Sequence, residues 1–157
     1  MKILIFTEGT IIMHKNTKGH TRSEIVKRVE EKEESVHDFE SYTPIGNAVQ
    51  KIKNWKKEGA IILYFTSRKK TGEINDIKSV LKRYDFPIGK LLYRKNNERY
   101  SDIAERILPD ILVEDDCESI GGKKEMTITN VKPEIRKRIK SIVVKEFGGI
   151  DNLPNKF

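Results

Sequence analysis

Four short apolar runs in this chain each break off at a cluster of polar or charged residues, and amphipathic stretches of helical period separate them. The first run, Lys2-Ile3-Leu4-Ile5-Phe6, has the β-branched and large apolar content of a central strand covered on both faces, and Thr7-Glu8-Gly9-Thr10 follows at its carboxyl end. Ala60 to Phe65 ends in Thr66-Ser67-Arg68. Leu91-Leu92-Tyr93 leads into the basic loop Arg94-Lys95-Asn96-Asn97-Glu98-Arg99, and Asp110 to Glu114 delivers Glu114-Asp115-Asp116. Between the runs, Ala48, Val49, Ile52 and Trp55 recur at helical spacing up to Gly59; so do Ile74, Ile77, Leu81 and Tyr84, and a shorter helix passes through Ile103, Ala104 and Ile107. Strands alternating with helices predict an α/β protein, a three-layer α/β/α Rossmann-like parallel sheet, with the loops at Glu8, Thr66 and Asp115 meeting at its carboxyl edge, where such sheets bind ligands.

The remaining segments are less regular. Residues 11–43 are polar and predict a small flap: an exposed hairpin around Lys15 to Gly19, then a helix. That helix is marked by Thr21 and Glu24 at capping-box spacing, a narrow stripe of Ile25 and Val29, and the charged run Glu30 to Glu34. Met126 to Thr129 reads as an edge strand. Pro133 opens a predicted helix with Ile135, Ile139, Ile142 and Val143 inward and Arg136, Lys137, Arg138, Lys140 and Lys145 on the other face. Ile150 and Leu153 of the tail are expected to dock on the body. No repeat or linker divides residues 1–157, so one domain with 11–43 as its insertion is the expectation.

Composition narrows the function classes. No apolar run reaches the roughly 18 residues of a membrane span, and the start lacks a secretory-signal pattern, which predicts a cytoplasmic protein with no membrane partner. One cysteine, Cys117, excludes an internal disulfide or a multi-cysteine zinc site, and a buried small side chain is its plain reading. Thirty-one basic against 24 acidic residues leave a formal charge of +7, which suits phosphorylated ligands or nucleic acid but by itself concerns association rather than fold.

These strand ends resemble the motifs of the haloacid dehalogenase (HAD) superfamily. Glu8, Gly9 and Thr10 fall on the second acid, the glycine and the threonine of its Asp-x-Asp-Gly-Thr motif, while Phe6 falls where the family carries its nucleophilic aspartate. Thr66 matches the second motif, whose hydroxyl and adjacent N–H hold the phosphoryl group, and Asp115 and Asp116 match the acids of the fourth. For the third, Arg94, Lys95 and Arg99 are candidates, although the simplest alignment places Tyr100 there. The resemblance implies a HAD-like fold with an open site. It also implies phosphate binding by Thr7, Gly9, Thr10, Thr66, Ser67, Arg68, Arg94 and Lys95, and Mg²⁺ held by Glu8, Asp115 and Asp116, hard oxygen ligands suited to that ion. Phe6 removes the aspartyl-phosphate role. Three readings follow: a catalytically degenerate domain binding a phosphorylated small molecule or nucleotide with Mg²⁺; a phosphohydrolase using metal-activated water, with Glu8 and Thr66 as catalytic residues; and a nucleic-acid-interacting protein using its basic surplus.

Overall fold

The structure is a computed structural model that describes residues 1–17, 20–31 and 38–157. Five parallel strands form one sheet: β1 (Lys2–Phe6), β4 (Ile61–Phe65), β5 (Lys90–Leu92), β6 (Ile111–Asp115) and β7 (Lys140–Val144), in the order β5-β4-β1-β6-β7. A separate antiparallel pair joins β2 (Ile12–His14) to β3 (Tyr42–Pro44). With helices on both faces, the architecture is the three-layer α/β/α sandwich that the sequence predicts.

Strand periodicity divides the core in two. Ile3 and Ile5 of β1, Ile62 and Tyr64 of β4, and Ile111 and Val113 of β6 face one side. There they meet Ala48, Ile52 and Trp55 of α2 (Ala48–Lys57) and Ile77, Val80 and Leu81 of α3 (Thr71–Arg83). Leu4, Phe65 and Leu112, one residue out of phase, face the other side with Ile103 and Ala104 of α4 (Tyr100–Ile107). Both faces of the central strands are thus covered, which is why their sequences are apolar almost throughout.

The flap contains the predicted helix, α1 (Arg22–Glu30), with both halves of the capping box made: Glu24 N–H donates to the Thr21 hydroxyl, and Thr21 N–H to the Glu24 carboxylate at 2.7 Å. Its buried residues are Ile25 and Val26, while Val29 of the expected stripe is half-buried and borders the cleft described below. Lys18 and Gly19 of the hairpin expectation, and the charged run beyond Glu31, lie outside the described residues.

Two expectations after Gly122 are overturned. Thr127–Asn130 is a helical turn, α5, and not an edge strand. The buried Glu114 carboxylate accepts the N–H groups of Thr127 at 2.7 Å and Ile128 at 3.0 Å, satisfying donors that a helix start leaves free and overriding the β preference of Thr-Ile-Thr. The helix opened by Pro133, α6 (Pro133–Arg136), lasts one turn, and the β-branched Ile142-Val143-Val144 lie in strand β7, paired with β6 from Ile111↔Lys140 to Asp115↔Val144. An open edge on β6 outweighed the helical spacing of Ile139, Ile142 and Val143. The continuous basic helix face expected there does not exist: Lys140 lies on the strand and Lys145 pairs with Asp116 at 3.2 Å. In the tail, Ile150 is fully buried and Leu153 packs on the larger cluster, as expected.

Candidate functional site

The carboxyl ends of β1, β4, β6 and β7 border a cleft of about 560 Å³. The loop after β1 is fixed by its own backbone: Thr7 C=O accepts the N–H groups of Ile11 and Ile12 at 2.9 and 3.0 Å, and Gly9 N–H donates to Ile12 C=O at 3.0 Å. Gly9 has φ +78°, and a Cβ there would stand 3.1 Å from Asp115 Oδ2, so both conformation and space call for glycine. The loop is tied to its neighbours as well, Thr10 Oγ1 donating to Asp115 Oδ2 at 2.8 Å and Phe147 N–H to Gly9 C=O at 2.7 Å.

Three carboxylates meet here. Asp115, Asp116 and Glu146 each offer an oxygen, and these oxygens lie within 4.8 Å of one another. Cys117 N–H donates to Asp115 Oδ1 at 2.9 Å. Ser119 holds Glu146 at both oxygens, through N–H at 2.7 Å and hydroxyl at 2.6 Å, and Glu146 N–H reaches Asp116 Oδ1 at 3.0 Å. Burial pushes the Asp115 and Glu146 carboxyls up from the ordinary carboxylate range, and the neighbouring negative charges add to this. Burial acts on Asp116 the same way, but the Glu146 N–H, Lys145 and Arg22 outweigh it and hold that carboxyl low. Such a donor set, all carboxylate oxygen and partly desolvated, could chelate a hard divalent cation whose charge would offset the mutual repulsion. Arg22 approaches Asp116 at 3.3 Å and also pairs with Glu118, so α1 of the flap is fastened to this cluster.

Glu8 stands apart from the three. Its Oε1 accepts the hydroxyls of Thr66 at 2.7 Å and Ser67 at 3.2 Å and pairs with Arg68 Nε at 3.3 Å, while the Thr7 hydroxyl donates to Oε2. Four of the residues that the resemblance assigns to a phosphoryl group, Thr7, Thr66, Ser67 and Arg68, are therefore gathered on this carboxylate. Thr7, Thr10 and Thr66 are fully buried, whereas Gly9, Ser67 and Arg68 line the cleft. Arg94 lays its guanidinium 3.9 Å from the Tyr100 ring centroid, with Nε buried and lacking a hydrogen-bond partner. Lys95 is exposed, its N–H donating to Glu98, and Arg99 pairs with Asp102 at 3.2 Å.

Phe6 ends β1 opposite Phe65, its ring centroid 4.6 Å from that of Phe65 and 5.4 Å from that of Tyr100. Cys117 is half-buried, and burial followed by the surrounding carboxylates pushes its thiol up, which disfavours the thiolate that a nucleophile needs. Glu114, the first of the acidic triplet, lines the cleft but spends both oxygens on the start of α5.

Sequence reasoning missed Glu146, Phe147 and the rings of Phe39 and Tyr42, all of which line the cleft. The signal for the first two was present. Ile142-Val143-Val144 followed by Lys145-Glu146 and Gly148-Gly149 repeats the form of the other strand ends, an apolar run breaking off at charged and glycine residues.

The sequence matches no protein-family model and no curated protein. The fold, however, is shared with solved structures. The class C acid phosphatase from Bacillus anthracis with tungstate bound superposes with a TM-score of 0.56 at 13% identity, over 94% of this chain and 68% of that one. Another structure of the same phosphatase gives 0.55 at 15% identity, covering 94% and 67%. A chain of a Pnkp1/Rnl/Hen1 complex gives 0.53 at 13% identity over 92% of this chain and 46% of that chain. At these identities the likeness concerns the fold. No described helix is long and apolar enough to cross a membrane.

Proposed function

We propose that this protein binds a phosphorylated ligand together with a divalent cation, Mg²⁺ by the chemistry of its donors, and does not form an aspartyl-phosphate. The observation that carries this reading is the pairing of an intact carboxylate cluster, Asp115, Asp116 and Glu146, with a phenyl ring at the end of β1. A benzene ring offers neither a nucleophilic atom nor a metal ligand, and losing the nucleophile of a concerted set commonly costs several orders of magnitude in rate. The cation supplies positive charge for phosphate oxygens when bound; the chain's own residues bind and orient the ligand.

Arg68, which borders the cleft and carries more N–H donors than Glu8 and Ser67 take up, is the group available to a phosphate, and Arg94 is the third-motif candidate that the geometry favours. Its charge lies on the face of Tyr100, the residue aligned with that motif, whereas Lys95 and Arg99 point into exposed surroundings. Glu8 serves here as the acceptor that holds Thr66, Ser67 and Arg68 in place. Acid or base work by Glu8 would require it to surrender those bonds. The fold shared with a phosphatase crystallised with tungstate supports a phosphate ligand.

Phosphate release from sugar phosphates, nucleotides and 3′- or 5′-phosphorylated oligonucleotides, with Mg²⁺ and with EDTA, tests the reading. Binding without turnover is expected. Mg²⁺-dependent turnover that disappears in Glu8→Gln would instead establish a phosphohydrolase using metal-activated water, the reading that the proximity of Glu8, Thr66 and Arg68 would then serve.

A further inference from the structure

Helix α1 is held to the body by a few apolar contacts and one arginine. Its buried residues, Ile25 and Val26, belong to neither core cluster, and Ile25 borders a small cavity of about 20 Å³ shared with His14, Thr17, Tyr42 and Phe147. Arg22, the first residue of the helix, supplies the polar part of the attachment. Its Nε donates to Glu146 C=O at 2.9 Å, and its Nη2 lies 3.3 Å from Asp116 Oδ2 and also pairs with Glu118. The side chains of Arg22 and Asp116 are 31% and 21% exposed, so water screens this pair only in part.

Within the carboxylate cluster, Asp116 is the member already neutralised. Lys145 Nζ stands 3.2 Å from its Oδ2, and its Oδ1 accepts Glu146 N–H at 3.0 Å. Asp115 and Glu146 receive neutral donors, and among the described residues no cationic side chain pairs with them. The two cations on Asp116 differ in what they are attached to. Lys145 is an exposed side chain able to turn into solvent, whereas Arg22 cannot leave Asp116 without loosening the end of α1. Val29, about two turns further along, borders the cleft, so the helix that Arg22 fastens is also part of the cleft wall.

We propose that Arg22 is a latch that competes with the divalent cation for the Asp116 carboxylate, so that cation binding loosens α1 and opens the cleft to its ligand. The inference rests on the cation-binding reading above and adds its regulation. The competition is electrostatic: a guanidinium and a divalent cation repel each other when both lie against one partly desolvated carboxylate. The chelate engages all three acids of the cluster, whereas Arg22 takes Asp116 alone from it. Once Asp116 is given up, the Arg22 pair with Glu118 lies at the exposed surface and holds little. Linkage makes the effect reciprocal, since whatever docked α1 takes from cation affinity, bound cation takes from the docking of α1.

Hydrogen–deuterium exchange of the full chain, in about 10 mM Mg²⁺ and in EDTA, reads the latch. Peptides covering residues 22–30 are expected to exchange about fivefold or more faster in Mg²⁺, while those of β1 and β4 stay protected in both buffers. Arg22→Gln should exchange fast in this segment in either buffer, and should bind Mg²⁺ about fivefold or more tightly than wild type by isothermal titration calorimetry. Lys145→Gln is the comparison. It removes an equal charge from the same oxygen without touching α1, so it should raise the affinity yet leave the Mg²⁺-induced exchange of α1 in place. Protection of β1 and β4 reports that each variant is folded, and the wild-type comparison needs no variant. Mg²⁺ that binds wild type but slows α1 exchange or leaves it unchanged would overturn the latch and leave the cation reading standing. Failure of Mg²⁺ to bind either wild type or Arg22→Gln would overturn the cation reading and the inference with it.

Discussion

Replacing Glu146 by glutamine separates a cation ligand from a structural carboxylate, because the two roles predict opposite signs. Without a cation, three carboxylates whose oxygens lie within 4.8 Å repel one another. At an effective dielectric constant near 20, one such pair costs about 3.5 kcal/mol at that distance, and Arg22 and Lys145 on Asp116 offset part of it. Glu146→Gln removes one of the three charges. It also weakens one of the two bonds from Ser119, a loss of about 1 kcal/mol, since the amide accepts at a single oxygen. The balance leaves the variant in EDTA no less stable than wild type and up to about 2 kcal/mol more stable. The effect of Mg²⁺ runs the other way. With a dissociation constant of about 1 mM, 10 mM Mg²⁺ stabilises wild type by about 1.4 kcal/mol, or about 3–6 °C in thermal midpoint for a chain of this size. The variant should shift by less than about 1 °C. Differential scanning calorimetry in EDTA and in Mg²⁺ reads both numbers. A variant less stable than wild type in EDTA, with an unchanged Mg²⁺ response, would refute the cluster as a cation site and make Glu146 a partner of Ser119 alone.

Two further predictions probe the same region. Glu114→Ala should cost about 2–4 kcal/mol, because it strands the buried N–H groups of Thr127 and Ile128, yet leave the Mg²⁺-induced shift of the midpoint intact; loss of that shift in a folded variant would place Glu114 among the ligands. The cation's effect should also depend on pH in a definite sense. Asp115 and Glu146 have carboxyls raised in the folded state, so their ionised forms oppose folding. That penalty is fully present above their folded values and is relieved as pH falls through them towards the ordinary carboxylate range. Because protons compete with the cation, the Mg²⁺ increment in midpoint should shrink steadily from about pH 8 to about pH 5.5. An increment that grows on acidification would contradict the assignment.

What could be read from residues alone was the part of the fold whose cause is local. The runs at Lys2–Phe6, Ile61–Phe65 and Ile111–Asp115 are apolar because both their faces are covered, and that pattern announces a buried parallel strand without reference to any partner. The Thr21 and Glu24 box and the Ala48, Ile52 and Trp55 stripe likewise carry their instructions within a few residues. Glu8, Thr66 and Asp115 follow directly, since each lies just beyond or at the end of such a strand.

The rest was decided by partners distant in the chain. β7 is an edge strand with a half-exposed pattern, and its spacing fits a helix until the open edge of β6 offers it five paired residues. α5 is a helical turn because a carboxylate thirteen residues earlier satisfies its first donors. Glu146 enters the carboxylate cluster, and Phe147 the aromatic lining, only once β7 exists to carry them there. Phe39 and Tyr42 arrive from the flap, more than thirty residues from Phe6. Strands buried on both faces are therefore visible in composition, whereas an edge strand and the residues it delivers are selected by unsatisfied backbone hydrogen bonds on the neighbouring element, and those come into being only when the sheet assembles.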